Sequence, residues 1–469
     1  MTKAPQAPAS PALLGTITNS SPPPAKKHPD SVSRAVARFA LQTAIRRILL
    51  TDRDGQKSYT KLATGEIVTT WRNRFISGTK IPYAHRTAYC LRVLAVYDGS
   101  RRVSLLHYPE RKAGGLRGLV RCASIWLCPL CAAQITEERR KQYKALFKRM
   151  SQPPVILTLT LRHNRRQPLQ RVLAAILNSY TAMFSKNKSA NMWIKRWSIV
   201  GRSRGLEVTY GRNGWHVHLH IALALSEKLT DINLDDFQAD CTRRWGAKVE
   251  AQGGYASPIH GARVSIEADP SYIAKLGLED VYIVRKGGRW SIAEEMTKAP
   301  IKQGKLNGIT PQGLVLIYMT GEAHRDGDFV VTPADAERLF LEYVIAMHRQ
   351  QQLVASGLIK EMLGKEATIS DRELVEQDSE TPIMMGDLEL DDWRKVLKGD
   401  KRGVLVDVLS TGDADQLTAF LAGIGIEPEP EAYRHLHTDL DQLSISERVI
   451  PAGDLPEGAT VTRIGWLNF

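Results

Sequence analysis

The sequence predicts an α+β fold centred on an antiparallel sheet, and three observations support this. Two runs of strand-forming residues, Gly205 to Tyr210 and Gly214 to Leu225, flank the turn residues Gly211-Arg212-Asn213-Gly214. A third run, Pro154 to Leu161, alternates threonine with aliphatics as a central antiparallel strand does. From Val155 to about Ile359, strands and helices then alternate around that hairpin. At 469 residues with 43% hydrophobic side chains the chain has ample core, and about three domains are expected.

Taken in order, residues 1 to 30 are rich in Pro, Ala, Ser and Thr, include Pro22-Pro23-Pro24, and read as disordered. Residues 31 to 84 form a basic helical region. In it, Val32 to Leu50 reads as an amphipathic helix with Val36, Phe39, Ala40 and Ile45 on one side. Its basic face suits either docking or DNA contact. Residues 85 to 150 are a cysteine-rich module, and residues 151 to 360 carry the histidine hairpin. Residues 361 to 469 are acidic, with helices expected over Trp393 to Leu409 and Ala414 to Ile424. No apolar run reaches the roughly 20 residues of a membrane span and no signal core opens the chain, so a cytoplasmic protein without a membrane partner is expected.

Charge separates these regions. Of 64 Lys+Arg and 50 Asp+Glu, residues 361 to 469 hold 10 and 23, which leaves 54 and 27 for residues 1 to 360. The basic part suits a polyanion; the acidic part suits a partner or a brake on non-specific DNA binding, and a chain ending near Ile359 is expected to keep the reactive groups.

The cysteine module contains Cys122-Ala-Ser-Ile-Trp-Leu-Cys128-Pro-Leu-Cys131. Cys-Pro-Leu-Cys is a tight turn that presents two thiolates to one ion, and Cys122 is near enough to be a third ligand. A closed tetrahedral Zn2+ site needs a fourth, for which Cys90 ranks before His107. Five cysteines are too few for a disulfide scaffold, and Cys241 stands alone as a core residue. A basic helix, Gln134 to Lys148, follows the cluster.

The hairpin carries the chemistry. His216, His218 and His220 occupy alternate positions of a strand and therefore share a face. Pairing Tyr210 with Trp215 sets Thr209 opposite His216 and Glu207 opposite His218, which adds a carboxylate and gives a mixed N and O donor set for a divalent metal. Downstream, Asp269 and Pro270 look like the N-cap and first residue of a helix. Tyr272 then lies in the first turn, where the helix dipole favours a phosphate, and Lys275 shares its face. The segment Met192 to Trp197 interleaves aromatics with cations. It suits base stacking, but the i, i+4 spacing of Trp193 and Trp197 fits a helix core face better.

The order Leu-Thr-Leu-Thr, then Glu-Val-Thr and Gly-Trp-His-Val-His-Leu-His, then Tyr-Ile-Ala-Lys, preceded by Cys-x5-Cys-Pro-x-Cys, resembles the rolling-circle replication initiators of bacterial plasmids within the HUH endonuclease superfamily. The resemblance covers roughly residues 85 to 360. It implies an antiparallel palm with helices on one face and a metal pair, His218 and His220, around Leu219. Glu207 is then the third ligand, Mg2+ or Mn2+ the ion, and Tyr272 the nucleophile. The frame of His216 with His218 stays open.

It further implies metal-dependent nicking that leaves a 5′-phosphotyrosine and a free 3′-OH. The partners would be single-stranded or extruded plasmid origin DNA, host helicase and DNA polymerase, with a homo-oligomer possible. Members with two tyrosines carry the second four residues after the first, where this chain has Leu276. It therefore resembles the single-tyrosine class, in which an acidic residue activates water: Glu267, with Glu279 as substitute. A transposase of the same superfamily and a non-enzymatic zinc protein that binds nucleic acid are the alternatives.

Overall fold

The computed structural model describes residues 33–50, 85–95, 102–185, 187–229, 231–266, 308–377 and 380–427. Its principal elements run, in chain order, α1 (Arg34–Leu50), β1 (Val103–Tyr108), β2 (Ala113–Arg117), α2 (Pro129–Arg149), β3 (Val155–Leu159), α3 (Leu169–Met183), α4 (Lys188–Arg196), β4 (Ile199–Gly211), β5 (Gly214–Leu225), α5 (Asp231–Glu250) and β6 (Ala262–Ser265). They continue with α6 (Pro311–Thr320), β7 (His324–Asp326), β8 (Phe329–Val331), α7 (Pro333–Ala346), β9 (Leu353–Gly357), α8 (Leu358–Leu363), α9 (Asp371–Glu376), β10 (Ile383–Leu388), α10 (Leu390–Lys398), α11 (Arg402–Thr411) and α12 (Ala414–Ala422).

The main sheet has five strands in the order β6-β3-β5-β4-β9, every neighbouring pair antiparallel. Its longest ladder is the hairpin β4–β5, where Tyr210 pairs with Trp215, Thr209 with His216 and Glu207 with His218, the register that the sequence implies. The turn is tighter than expected. Gly211 and Gly214 still pair, so Arg212 and Asn213 alone make it, and Gly214 sits at a φ of 90°, which a side chain rarely adopts.

Strand alternation gives this sheet two unlike faces. On one, Leu157, Leu159, Leu206, Val208, Val217, Leu219 and Ile221 are all buried in the main core with Val172, Leu173 and Ile176 of α3. Each such side chain contributes about 1.5–3 kcal/mol when fully buried. On the other face, Ile156, Ala222 and Ala224 pack under Tyr143 and Leu146 of α2 and Ile359 and Leu363 of α8. Among the described residues, that cluster lies over the half of the sheet away from the hairpin tip. The half near the tip carries the three histidines, Glu207 and Thr158.

A second sheet, β10-β1-β2, joins strands from either side of residue 360. β10 pairs with β1, Val103 opposite Leu388 and His107 opposite Ile383, and Trp393, Val396, Leu405 and Leu409 are buried in the main core. The hydrophobic positions of this segment outweigh its net charge, so residues 380–427 belong to the same body as the cysteine module.

Two local differences have simple causes. The helix expected over Trp393 to Leu409 is two helices, because Gly399 and Asp400 interrupt it and Asp400 takes a φ of 48°. The helix expected from Gln134 begins at Pro129, which occupies the first helical turn just after Cys128.

α1 starts at Arg34 and is more than a surface helix. Ala37, Leu41, Ala44 and Ile48 are buried alongside Phe39 and Ile45. Gly403 of α11 lies so near Val36 that a Cβ there would come within 2.6 Å of its Cα. Trp193 and Trp197 are both buried, Trp193 stacked on Phe237 at 6.4 Å, which makes them core rather than a base-stacking platform. Among the described residues no helix is long and apolar enough to cross a membrane.

Candidate functional site

The half-covered face of the main sheet gathers imidazoles. Alternation along β5 puts His216, His218 and His220 side by side, with ring centroids 4.1 Å and 5.9 Å apart. His220 is fixed at both nitrogens: Nε2 lies 2.9 Å from Glu207 Oε2 and Nδ1 lies 3.2 Å from Thr158 Oγ1. Glu207 comes from β4 and Thr158 from β3, so three strands build this corner.

His163, just beyond β3, joins the row from the other end, 4.7 Å from His216 ring to ring. Its Nδ1 is 3.2 Å from the Leu161 carbonyl oxygen. The sequence reading passed over His163 as a site residue. Its only signal was its place at the end of a strand predicted to back the hairpin.

Burial favours the neutral form of His163, His216 and His218. Burial, helped by His218 and His163, holds the His216 imidazole down at about 3. Burial holds His218 down at about 4 against the upward pull of Glu207, with His220 and His163 reinforcing the depression. Burial also lowers His163. Neutral imidazole is the metal-binding form. His218 Nδ1 is moreover buried with no hydrogen-bond partner, an arrangement that costs about 1–3 kcal/mol unless something fills it. Neutral His216 and His218, the latter with a bare nitrogen, stand beside a carboxylate, which is the donor chemistry of a divalent-cation site, although their ligand atoms do not converge as the four sulfurs of the cysteine module do.

The cysteine module makes a tighter centre. Cys90, Cys122, Cys128 and Cys131 are all buried, and their four sulfurs lie within 4.8 Å of one another. Cys90 Sγ is 3.5 Å and Cys122 Sγ 3.7 Å from Cys131 Sγ. Four convergent thiols with this spacing could hold a metal such as Zn2+. Cys128 and Cys131 bracket the start of α2, Cys122 precedes it by one loop, and Cys90 arrives from the short helical turn Arg86–Tyr89.

Burial pushes the Cys122 and Cys128 thiols up, and hydrogen bonds from its neighbours bring Cys131 down. His107 is elsewhere: its Nδ1 is 2.8 Å from the Leu409 carbonyl oxygen, so Cys90 is the fourth member. Cys241 is buried and apart, as expected of a core residue.

Tyr272, Lys275, Glu267 and Glu279 lie outside the described residues. Ile309 bridges to Tyr210, and a Cβ on Gly308 would come within 3.0 Å of Thr209 Oγ1, so residues 308 and 309 lie against the tip of the histidine hairpin. Beside the same tip a cleft of about 570 Å³ is lined by Arg165, Arg166, Arg338, Tyr210 and Trp215 among others.

Comparison with known proteins gives one alignment of note. Over 243 residues the chain is 24% identical to "Protein rep" of Streptomyces lividans; the aligned region is 41% of this chain and 52% of that protein. The chain therefore spans about half the length of this curated relative. No family model matches the chain. No solved structure matches it either.

Proposed function

We propose that this chain initiates rolling-circle replication of a plasmid by nicking one strand of origin DNA. The observation that carries the proposal is the row of His216, His218 and His220 beside Glu207 on one face of an antiparallel sheet. The similarity to a protein named rep, together with the excess of Lys+Arg over Asp+Glu in the first 360 residues, supports a role on DNA.

In this reading the sheet is the palm of an HUH endonuclease. His218 and His220 would hold Mg2+ or Mn2+ with Glu207, and His216 with His218 is the alternative pair. The bound metal would polarise the scissile phosphate. Tyr272 supplies the nucleophile. Its phenolic oxygen bonds to phosphorus, the bond to the 3′ oxygen breaks, and the products are a 5′-phosphotyrosine and a 3′-OH that can prime host polymerase. Lys275 favours the phenolate, and Glu267 activates water when the reaction terminates. Glu207, hydrogen-bonded to His220, orients that ring and selects its tautomer. The substrate is single-stranded or extruded origin DNA, with host helicase as a further partner.

Incubating the protein with labelled origin-like single strands and Mn2+ tests this. A denaturation-resistant adduct that Tyr272→Phe abolishes while DNA binding persists is the expected result. An adduct retained by Tyr272→Phe overturns the tyrosine assignment, and no adduct from the unaltered protein on any origin-derived strand overturns the nicking function.

A further inference from the structure

The buried guanidinium of Arg402 has no part in nicking, yet it hydrogen-bonds the residue that follows Cys90. Four thiolates and one Zn2+ carry a formal charge of −2, and all four sulfurs are buried. Such a charge is stable in a protein interior only if cations or dipoles face it. The N-terminus of α2, which starts between Cys128 and Cys131, supplies one partial positive charge. It cannot balance two negative charges alone.

Arg402 is fully buried at the start of α11 and reaches into the loop that carries Cys90. Its Nη1 donates to the Leu91 carbonyl oxygen at 3.3 Å, across 311 positions of sequence. Nη2 donates to Thr43 Oγ1 of α1 and to Asp400 Oδ1, both at 2.8 Å, and the guanidinium lies over the Phe39 ring. Trp393 Nε1 donates to the next carbonyl, that of Arg92, at 2.9 Å. On the other side of the loop, Gln42 Nε2 donates to Thr87 O at 2.9 Å. The Cys90 loop is thus clamped between α1 and the C-terminal helices.

Charge follows the same pattern. Asp400 pairs with both Arg402 and Arg92, at 2.8 Å and 3.5 Å. Two guanidiniums against one carboxylate leave a net positive charge beside the loop that carries Cys90.

We infer that Arg402 is the countercharge and positioning residue of a Zn2+ tetrathiolate on Cys90, Cys122, Cys128 and Cys131, so that metal retention depends on the acidic C-terminal region. The inference rests on the quartet binding metal and is independent of the nicking reaction. It also gives that region a role in the fold: it closes the metal site from the side that the Cys-Pro-Leu-Cys turn leaves open.

The full chain, loaded with Zn2+ and titrated with a chromogenic chelator, tests this, with Co2+ absorption reporting the thiolate ligand set. Arg402→Gln should weaken Zn2+ retention roughly 10- to 100-fold, the range for loss of a group supporting a metal ligand. Arg402→Lys should recover part of it, since it keeps the charge and loses the fork. Asp400→Asn is the discriminating variant. It removes a negative charge from beside the Cys90 loop, so retention should hold or tighten, whereas a purely structural clamp would be weakened by it as by Arg402→Gln. Unchanged retention in a folded Arg402→Gln protein overturns the inference, and so does parallel weakening by Asp400→Asn. Should Arg402→Gln fail to fold, Asp400→Asn decides by the same criterion. An unaltered protein that binds neither Zn2+ nor Co2+ at the quartet removes the metal reading and the inference with it.

Discussion

The cysteine quartet and the histidine row are made of comparably good metal ligands, yet the four cysteines are all buried and converge, while among the described residues His216 and His218 stay partly exposed. His216 and His218 keep partial exposure, His218 retains a bare Nδ1, and the rings are spaced along a strand rather than gathered to a point. A centre with its full complement of protein ligands has no position for a substrate, whereas an incomplete one on an accessible face does. The difference teaches that burial and completeness, more than ligand type, separate a staple from a reactive site.

The largest expected effect breaks the first centre. Cys128→Ser should eliminate bound Zn2+ and cost on the order of 4 kcal/mol or more, because the quartet ties the Cys90 loop, α2 and, through Arg402, the C-terminal helices together. Elemental analysis with hydrogen exchange checks it: faster exchange should appear in 85–95, 129–149 and also 390–411. Protection that stays intact beyond residue 380 would show that the C-terminal helices stand apart from the metal site.

A second test separates the two regions by pH. Folding depresses His216 to about 3 and His218 to about 4, below the usual histidine value near 6.5. Below pH 6.5 the unfolded chain therefore binds more protons than the folded one. The stabilisation is fully present above about pH 6.5 and is lost as pH falls toward 4 and then 3, amounting to a few kcal/mol in order of magnitude. Denaturant unfolding of zinc-loaded protein, compared with the His216→Asn, His218→Asn double variant, should show a smaller acid loss in the variant between pH 6.5 and 5. Identical slopes would mean that the imidazoles are not held neutral.

How much of this was legible in the sequence follows from sequence separation. The hairpin register was, because the turn residues and the alternation of β5 are local and a one-residue slip would move every histidine to the apolar face. Trp193 and Trp197 were assigned to the core by spacing alone. Cys90 could be ranked above His107 as fourth sulfur ligand, but only the fold brings it to Cys131.

His163 escaped because it meets His216 only after β3 has paired with β5, and a histidine at a strand end carries no pattern of its own. β10 escaped for the same reason on a longer scale. Ile383-Met-Met-Gly-Asp-Leu388 is a weak strand signal, and its partner β1 lies far back in the chain. The pairing of β10 with β1 has no counterpart in the charge pattern, because net charge reports on surface and solubility while packing decides the fold.

Smaller effects sharpen the comparison at the histidine face. Glu207→Gln keeps the side-chain shape and should cost roughly tenfold in Mn2+ affinity there, leaving Zn2+ content unchanged. Equal Mn2+ binding would remove Glu207 from the donor set. Thr332→Ala sets the lower bound. It deletes the hydroxyl that caps α7 and should lower stability by about 1 kcal/mol while altering neither metal, as thermal unfolding and metal titration would read out.

The account stands or falls on whether the histidine face is the reactive one. The direct measurement is covalent adduct formation with origin-like single-stranded DNA by the zinc-loaded His218→Ala, His220→Ala double variant. The account predicts one Zn2+ retained per chain, a fold unchanged by circular dichroism, and no adduct at any Mn2+ concentration. Adduct formation at the yield of the unaltered protein would contradict it and place the chemistry elsewhere in the molecule.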